Sequence, residues 1–201
     1  MTRFLVSTAT VALLTATPLH ADLTVDEAWD IWKAQFASYG LTLDAAPTRD
    51  GDDLVIPDLR LSAGFPMGLG SAYVQMQGPR FSPAGDGRVT VIYPDVWLLS
   101  LGGEITGEGS LAMALEATAT NTSAVMSGDP DNAETLWQGD GMTIRLVDLA
   151  VSGEPAIALD GLVRMGPYSL RNSTRIDDDH LTMGQKPHIR VNHRDTAIAC
   201  W

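Results

Sequence analysis

The residues of this chain with the clearest potential for chemistry are three histidines near its C-terminus. His180, His188 and His193 follow an acidic run and precede the single cysteine, Cys200. Imidazole and thiolate groups are the usual ligands of zinc, and imidazole also serves as a general base. The spacing of these residues matches no closed zinc site, so they are candidate ligands only. We expect no bound metal ion and no other cofactor.

A hydrolase is the second chemistry that these residues suggest. Between residues 22 and 179 the chain contains no histidine, so a histidine-dependent hydrolase would take its base from the C-terminal segment. No serine stands in the Gly-x-Ser-x-Gly arrangement of a nucleophile elbow. The many carboxylates provide no distinguished pair for acid–base work. No catalytic residue is therefore assigned, and a hydrolase that uses carboxylates or these histidines stays an alternative.

Three tryptophans, Trp29, Trp32 and Trp97, are the candidate ligand-binding residues, because an indole ring can stack on a ligand. Trp29 and Trp32 share one face of a predicted helix. The alternative is that these two side chains anchor the helix on a sheet, since buried aromatic residues usually belong to the core.

The stretch LTVDEAWDIWKAQFASYG carries the signals of that helix. Thr24 and Glu27 have the spacing of a capping box, and Gly40 follows the last residue of the helical period. Apolar residues recur at steps of three and four between these points. The sequence therefore predicts an amphipathic helix that begins after Thr24 and lies on an apolar surface.

After Gly40 the apolar residues alternate with a period of two, which is typical of strands. In three places, at Asp58, Asp95 and Asp148, the alternation slips by one residue. A β-bulge takes up one extra residue and keeps the apolar side chains on one face, so we predict a bulge at each slip. The dipeptides that precede these strands, Asp50–Gly51, Asp86–Gly87 and Asp140–Gly141, predict hairpin turns.

These elements predict an α+β, mainly β fold. An N-terminal amphipathic helix packs on a curved antiparallel sheet of bulged hairpins, and the two together occupy residues 22–170. Residues 171–201 have no sustained period, so we interpret them as a polar C-terminal tail, with a truncated or out-of-frame chain as the alternative.

The first 21 residues have the pattern of a secretory signal peptide: Arg3, an apolar run, and the small residue Ala21. Their removal would leave no membrane span, and one cysteine allows no internal disulfide. The chain is acidic, with a formal net charge of -12, which argues against a nucleic-acid partner. We therefore expect an exported, periplasmic protein.

The segment ADLTVDEAWDIWKAQFASYG, the strand GDDLVIPDLRL and the recurring GDGRVTV type of turn and strand resemble an uncharacterised family of alphaproteobacterial periplasmic proteins, which is classed as a domain of unknown function. The resemblance covers roughly residues 1–170. It implies a periplasmic location and this type of fold, and it implies no catalytic residues.

The curved sheet has more strands than one helix can cover. We therefore expect a non-enzymatic protein whose concave face binds an apolar, lipid-like ligand, or which acts as a scaffold for an envelope protein. A fragment of a longer protein without its own function is a further alternative. An open sheet edge would also allow self-association.

Overall fold

The computed structural model describes residues 22–155, 161–177 and 180–189. Within these residues one α-helix, α1 (Val25–Ser38), precedes sixteen strands, and a short 3-10 helix spans Pro66–Gly68. The protein is mainly β, with the helix packed on antiparallel sheets, which confirms the predicted fold class. The predicted signal peptide and His193 lie outside the described residues.

The strands form two antiparallel sheets. In chain order they are β1 (Thr42–Ala45), β2 (Thr48–Asp50), β3 (Asp53–Val55), β4 (Leu59–Gly64), β5 (Gly70–Met76), β6 (Arg80–Gly85), β7 (Arg88–Ile92), β8 (Val96–Ile105), β9 (Gly109–Thr120), β10 (Ser123–Gly128), β11 (Asn132–Gly139), β12 (Gly141–Val151), β13 (Glu154–Pro155), β14 (Leu162–Met165), β15 (Tyr168–Asp177) and β16 (His180–Ile189). Sheet I has the order β1-β4-β5-β8-β9-β12, and β13 and β14 both pair with β12. Sheet II has the order β2-β3-β6-β7-β10-β11-β15-β16.

The chain passes from one sheet to the other after β1, β3, β5, β7, β9, β11 and β14. Each crossing joins strands that occupy corresponding places in the two sheets. The two sheets are therefore two halves of one antiparallel meander. The meander is folded at the points where the chain crosses from one sheet to the other. One continuous inner surface runs across both halves.

Helix α1 begins as predicted. The Thr24 hydroxyl accepts a hydrogen bond from the Glu27 amide (3.3 Å), and the Glu27 carboxylate accepts one from the Thr24 amide (2.8 Å). Gly40 follows the helix with a φ of 73°, a backbone conformation that glycine adopts without a steric cost. The capping box and the end of the helix are thus both confirmed.

The core lies between this helix and the inner face of sheet II. Trp29 and Trp32 both pack edge-on against Phe81 of β6, with ring centroids 5.8 and 5.3 Å away. Val89, Val91, Ala124 and Met126 are fully buried beneath the helix on β7 and β10. The helix contacts β1, β3, β6 and β16, so it covers sheet II and only the edge of sheet I.

Two of the three predicted bulges are wrong. Asp58 lies between β3 and β4, and Asp95 lies between β7 and β8, so at both points the chain changes sheet. Proline precedes each Asp and cannot donate to a ladder, so the strand ends there. The turn resets the alternation, and Leu54 and Leu59 on its two sides are both buried in the core.

The third bulge is confirmed. Leu146 of β12 pairs with Leu115 of β9, whereas Asp148 pairs with Ala114, so Val147 is the extra residue. Beyond it Leu149 pairs with Met113, which is two residues from Leu115 on β9. Leu146 and Leu149 therefore point to the same face of sheet I.

Two of the three predicted Asp–Gly hairpins are also present. Gly51 has a φ of 61° between β2 and β3, and Asp86 and Gly87 have φ values of 52° and 66° between β6 and β7. The prediction at Asp140 is wrong, because Asp140 joins β11 of sheet II to β12 of sheet I.

The predicted boundary between residues 170 and 171 falls inside β15. This strand pairs with β11 from Tyr168 to Arg175, and β16 pairs with β15 in turn. Its inner positions include Asn172 and Thr174, which are polar, so the strand lacks an apolar period. Thr174 is buried, and its hydroxyl accepts a hydrogen bond from the Gln35 amide of α1 at 2.6 Å.

Candidate ligand-binding groove

The inner face of sheet I carries rows of apolar side chains that run across its central strands. Leu101 of β8 pairs with Val74 of β5 and Met113 of β9, and Met113 pairs with Leu149 of β12. The next row consists of Ala72, Gly103, Leu111 and Val151 on the same four strands. Both rows lie beyond the reach of helix α1.

These rows form the floor of an open groove with a volume of about 520 Å³. Apolar residues dominate its lining: Phe65, Ala72, Val74, Leu101, Ile105, Leu111, Met113 and Val151. Ala72 and Gly103 carry small side chains or none, so they leave space between the larger residues. Glu104, Glu108, Ser110 and Ser152 provide polar groups around the groove.

Large apolar side chains in the groove remain open to solvent. Leu111 is 45% exposed and Val151 is 50% exposed, although both line the groove. Each buried methylene group would contribute about 0.8 kcal/mol, so this surface is an unused source of binding energy. A contiguous exposed apolar patch of this kind is typical of a binding site.

An aromatic layer adjoins the core beneath α1. It consists of Trp32, Tyr93, Trp97 and Trp137. The Tyr93 ring lies 5.1 Å from both Trp97 and Trp137, and Trp32 stacks on Trp137 at 6.2 Å. Trp97 also begins the inner row of β8 that continues through Leu99 and Leu101 to the groove.

Two polar atoms of this layer are enclosed. The Tyr93 hydroxyl and the Trp97 indole nitrogen have no hydrogen-bond partner among the residues that the structure describes. Burial raises the pKa of Tyr93 well above its ordinary value, with a smaller contribution from Tyr168, so its hydroxyl stays protonated at neutral pH. Both groups are therefore hydrogen-bond donors.

The predicted ligand-binding tryptophans occupy two environments. Trp29 and Trp32 are buried beneath α1, the position expected of anchors between a helix and a sheet. Trp97 is partly buried in the aromatic layer, two inner-facing positions before the groove residue Leu101 on β8. Of the three, only Trp97 lies on a strand that also lines the groove.

The two candidate metal ligands that the structure describes lie far apart on one strand. His180 and His188 both belong to β16, eight residues from each other, which corresponds to roughly 26 Å of extended strand. Within residues 22–155, 161–177 and 180–189, no three His, Cys, Asp or Glu residues gather where they could hold a metal ion. The three Asp residues at the slips likewise form no such group there.

The groove residues themselves were not singled out from the sequence. Their signal is the alternation of Leu111, Met113 and Leu115 and of Leu99 and Leu101, which predicts one apolar face for each strand. Alternation does not show whether a helix covers that face, because the answer depends on contacts between distant parts of the chain.

Comparison with protein-family models, curated proteins and solved structures finds no match for this chain. The family resemblance therefore stays a prediction. In the part of the chain that the structure describes, no helix has both the length and the apolar character needed to cross a membrane.

Proposed function

We propose that this chain is an exported, periplasmic, non-enzymatic protein that binds an apolar, lipid-like ligand in the groove of sheet I. The supporting observation is the open apolar groove, with a volume of about 520 Å³, that α1 leaves uncovered. The signal-peptide pattern of residues 1–21 supports export.

A lipid chain matches the groove in shape and in chemistry. On β8 the groove is lined from Leu101 to Ile105, four residue steps or roughly 13 Å, and the inner-facing row there carries no polar side chain. A long unbranched chain laid on this row would cover Leu101, Leu111 and Met113 at once. The groove offers few polar groups for orienting a small polar ligand, which favours an acyl chain over a sugar or a nucleotide.

The decisive substitution is Leu101→Asp, which places a charge in the floor of the groove. We expect the affinity for a dansyl-labelled fatty acid to fall by about 10- to 100-fold, because one leucine side chain contributes roughly 1.5–3 kcal/mol when covered. Fluorescence titration of the purified protein measures this change. Native mass spectrometry of the same preparation should detect a bound lipid in the parent protein.

The matched control is Leu98→Asp, three residues earlier on the same strand. Leu98 points to the outer face and is 67% exposed, so this substitution should leave fatty-acid binding unchanged. If the parent protein binds no fatty acid, or if the two substitutions weaken binding equally, the groove is not a lipid site. The scaffold function would then be favoured.

A further inference from the structure

A rigid apolar turn projects from the end of sheet I. This apolar tip consists of residues 65–69, Phe-Pro-Met-Gly-Leu, and joins β4 to β5. Met67 is 91% exposed and Leu69 is 52% exposed. Turns are usually polar, so a turn that presents Phe65, Met67 and Leu69 to solvent needs a physical explanation.

Hydrogen bonds hold the apolar tip in a single conformation. The Phe65 amide donates to the Gly70 carbonyl (2.8 Å), and the Leu69 amide donates to the Pro66 carbonyl (3.3 Å). On the neighbouring β8–β9 turn, Thr106 donates its amide to the Leu69 carbonyl and its hydroxyl to the Gly68 carbonyl, both at 3.0 Å. These bonds also satisfy peptide groups that would otherwise resist transfer to an apolar medium.

Met67 adopts an unfavourable backbone conformation with its side chain exposed. Its φ of 59° lies in the left-handed region. That conformation is unfavourable for any residue with a side chain and is accessible to glycine without this steric clash. The other non-glycine residues with positive φ in the described chain are Asp86, Asn121 and Ser152, all polar. Folding alone gives no reason to keep an apolar, strained residue at this solvent-exposed position.

The apolar tip adjoins the open end of the groove. Phe65 belongs to the apolar tip and also lines the groove, and Ile105 beside it lines the groove and is half exposed. Phe65 therefore links the apolar tip to the lining of the groove. A lipid that left a bilayer at the apolar tip would meet Phe65 and Ile105 at this end of the groove.

We propose that the apolar tip docks this protein on the surface of a zwitterionic phospholipid bilayer, with the groove opening toward the lipid. Docking on the bilayer requires only the apolar tip. The exchange of a lipid between the bilayer and the groove rests on the proposed function. The charged residues that line the groove are Glu104 and Glu108, and neither the tip nor the β8–β9 turn contains Lys or Arg. This arrangement repels anionic headgroups and leaves apolar insertion as the source of affinity.

The shape of the apolar tip favours a bilayer over a protein partner. A projecting turn with three large side chains would need a matching cavity on a protein, whereas the interface of a bilayer adapts to any small apolar projection. A protein partner that contacts Met67 is accordingly the competing outcome of the test.

The test is flotation of the protein with phosphatidylcholine vesicles. The protein is purified from periplasmic extracts and its N-terminus is sequenced, so that residues 1–21 make no contribution. We expect Met67→Gly and Leu69→Asp each to lower the vesicle-bound fraction at least about tenfold, since each removes one inserted side chain. Leu98→Asp, on the outer face of β8, should leave flotation unchanged. Adding anionic phosphatidylglycerol to the vesicles should weaken binding.

Met67→Gly also separates docking from folding and from ligand binding. Glycine adopts the φ of residue 67 freely, so the melting temperature should stay equal or rise. Fatty-acid binding from solution should be unchanged in Met67→Gly, whereas Leu101→Asp should lose fatty-acid binding and keep flotation.

Docking is overturned if the parent protein does not float, if Met67→Gly floats like the parent, or if Leu98→Asp fails equally. It is also overturned if a photo-crosslinker at residue 67 captures an envelope protein instead of lipid.

Discussion

At the scale of single residues, the enclosed donors of the aromatic layer distinguish this interior from an ordinary apolar core. A buried hydroxyl without a partner costs free energy on folding, whereas its removal at constant shape is neutral or favourable. The Tyr93 hydroxyl has no hydrogen-bond partner among the described residues. The Tyr168 hydroxyl has one, because it lies 2.9 Å from the Thr122 hydroxyl.

We therefore predict opposite effects for the same substitution at these two tyrosines. Tyr93→Phe should raise the free energy of unfolding by about 1 kcal/mol, and Tyr168→Phe should lower it by about 1 kcal/mol. Urea denaturation of both variants, followed by tryptophan fluorescence, measures the difference. A loss of stability in Tyr93→Phe as large as that in Tyr168→Phe would mean that the Tyr93 hydroxyl has a partner.

At the scale of elements, the bulge in β12 predicts which deletions the sheet accepts. Val147 is exposed, and it is the extra residue between Leu146 and Asp148 that has no pairing partner on β9. Its deletion should give a regular ladder, keep Leu149 on the groove face, and change the free energy of unfolding by less than about 1 kcal/mol. Thermal denaturation and fatty-acid titration of the deletion variant check both expectations.

Deletion of Ser100 from β8 provides the contrast. The pairing of β8 with β5 and with β9 is regular on both sides, so no extra residue is present to absorb the change. Every residue on one side of the deletion must move to the opposite face of the sheet. We expect this variant to lose cooperative unfolding, and an intact fold would show that register in sheet I is weakly specified.

The same elements show how far the sequence alone determines this fold. The helix was predictable because Thr24, Glu27 and Gly40 act on their own neighbours. A slip of the apolar period at Asp58 or Asp95 fits both a bulge and a change of sheet, and only the pairing partners distinguish the two. Strand β15 was missed because Asn172 and Thr174 face inward, where Gln35 of the distant helix satisfies Thr174.

At the scale of the whole molecule, the fold is one folded meander in which a single helix covers half of the inner surface. This division leaves the groove of sheet I open and places most of the core between α1 and sheet II. It also makes residues 171–177 and 180–189 part of the fold, because β15 and β16 extend sheet II beyond β11. The candidate histidines His180 and His188 are therefore carried by a structural strand.

A chain that ends at Leu170 should consequently fail to fold. The truncation removes most of the pairing between β15 and β11, exposes the edge of β11, and deletes Thr174, the hydrogen-bond partner of Gln35. We expect aggregation during size-exclusion chromatography and no cooperative thermal transition. The full chain with His180→Asn, His188→Asn and His193→Asn is the control, since these changes test any histidine chemistry while keeping the strands. A truncated chain that melts at the temperature of the full chain would show that β15 and β16 do not stabilise sheet II.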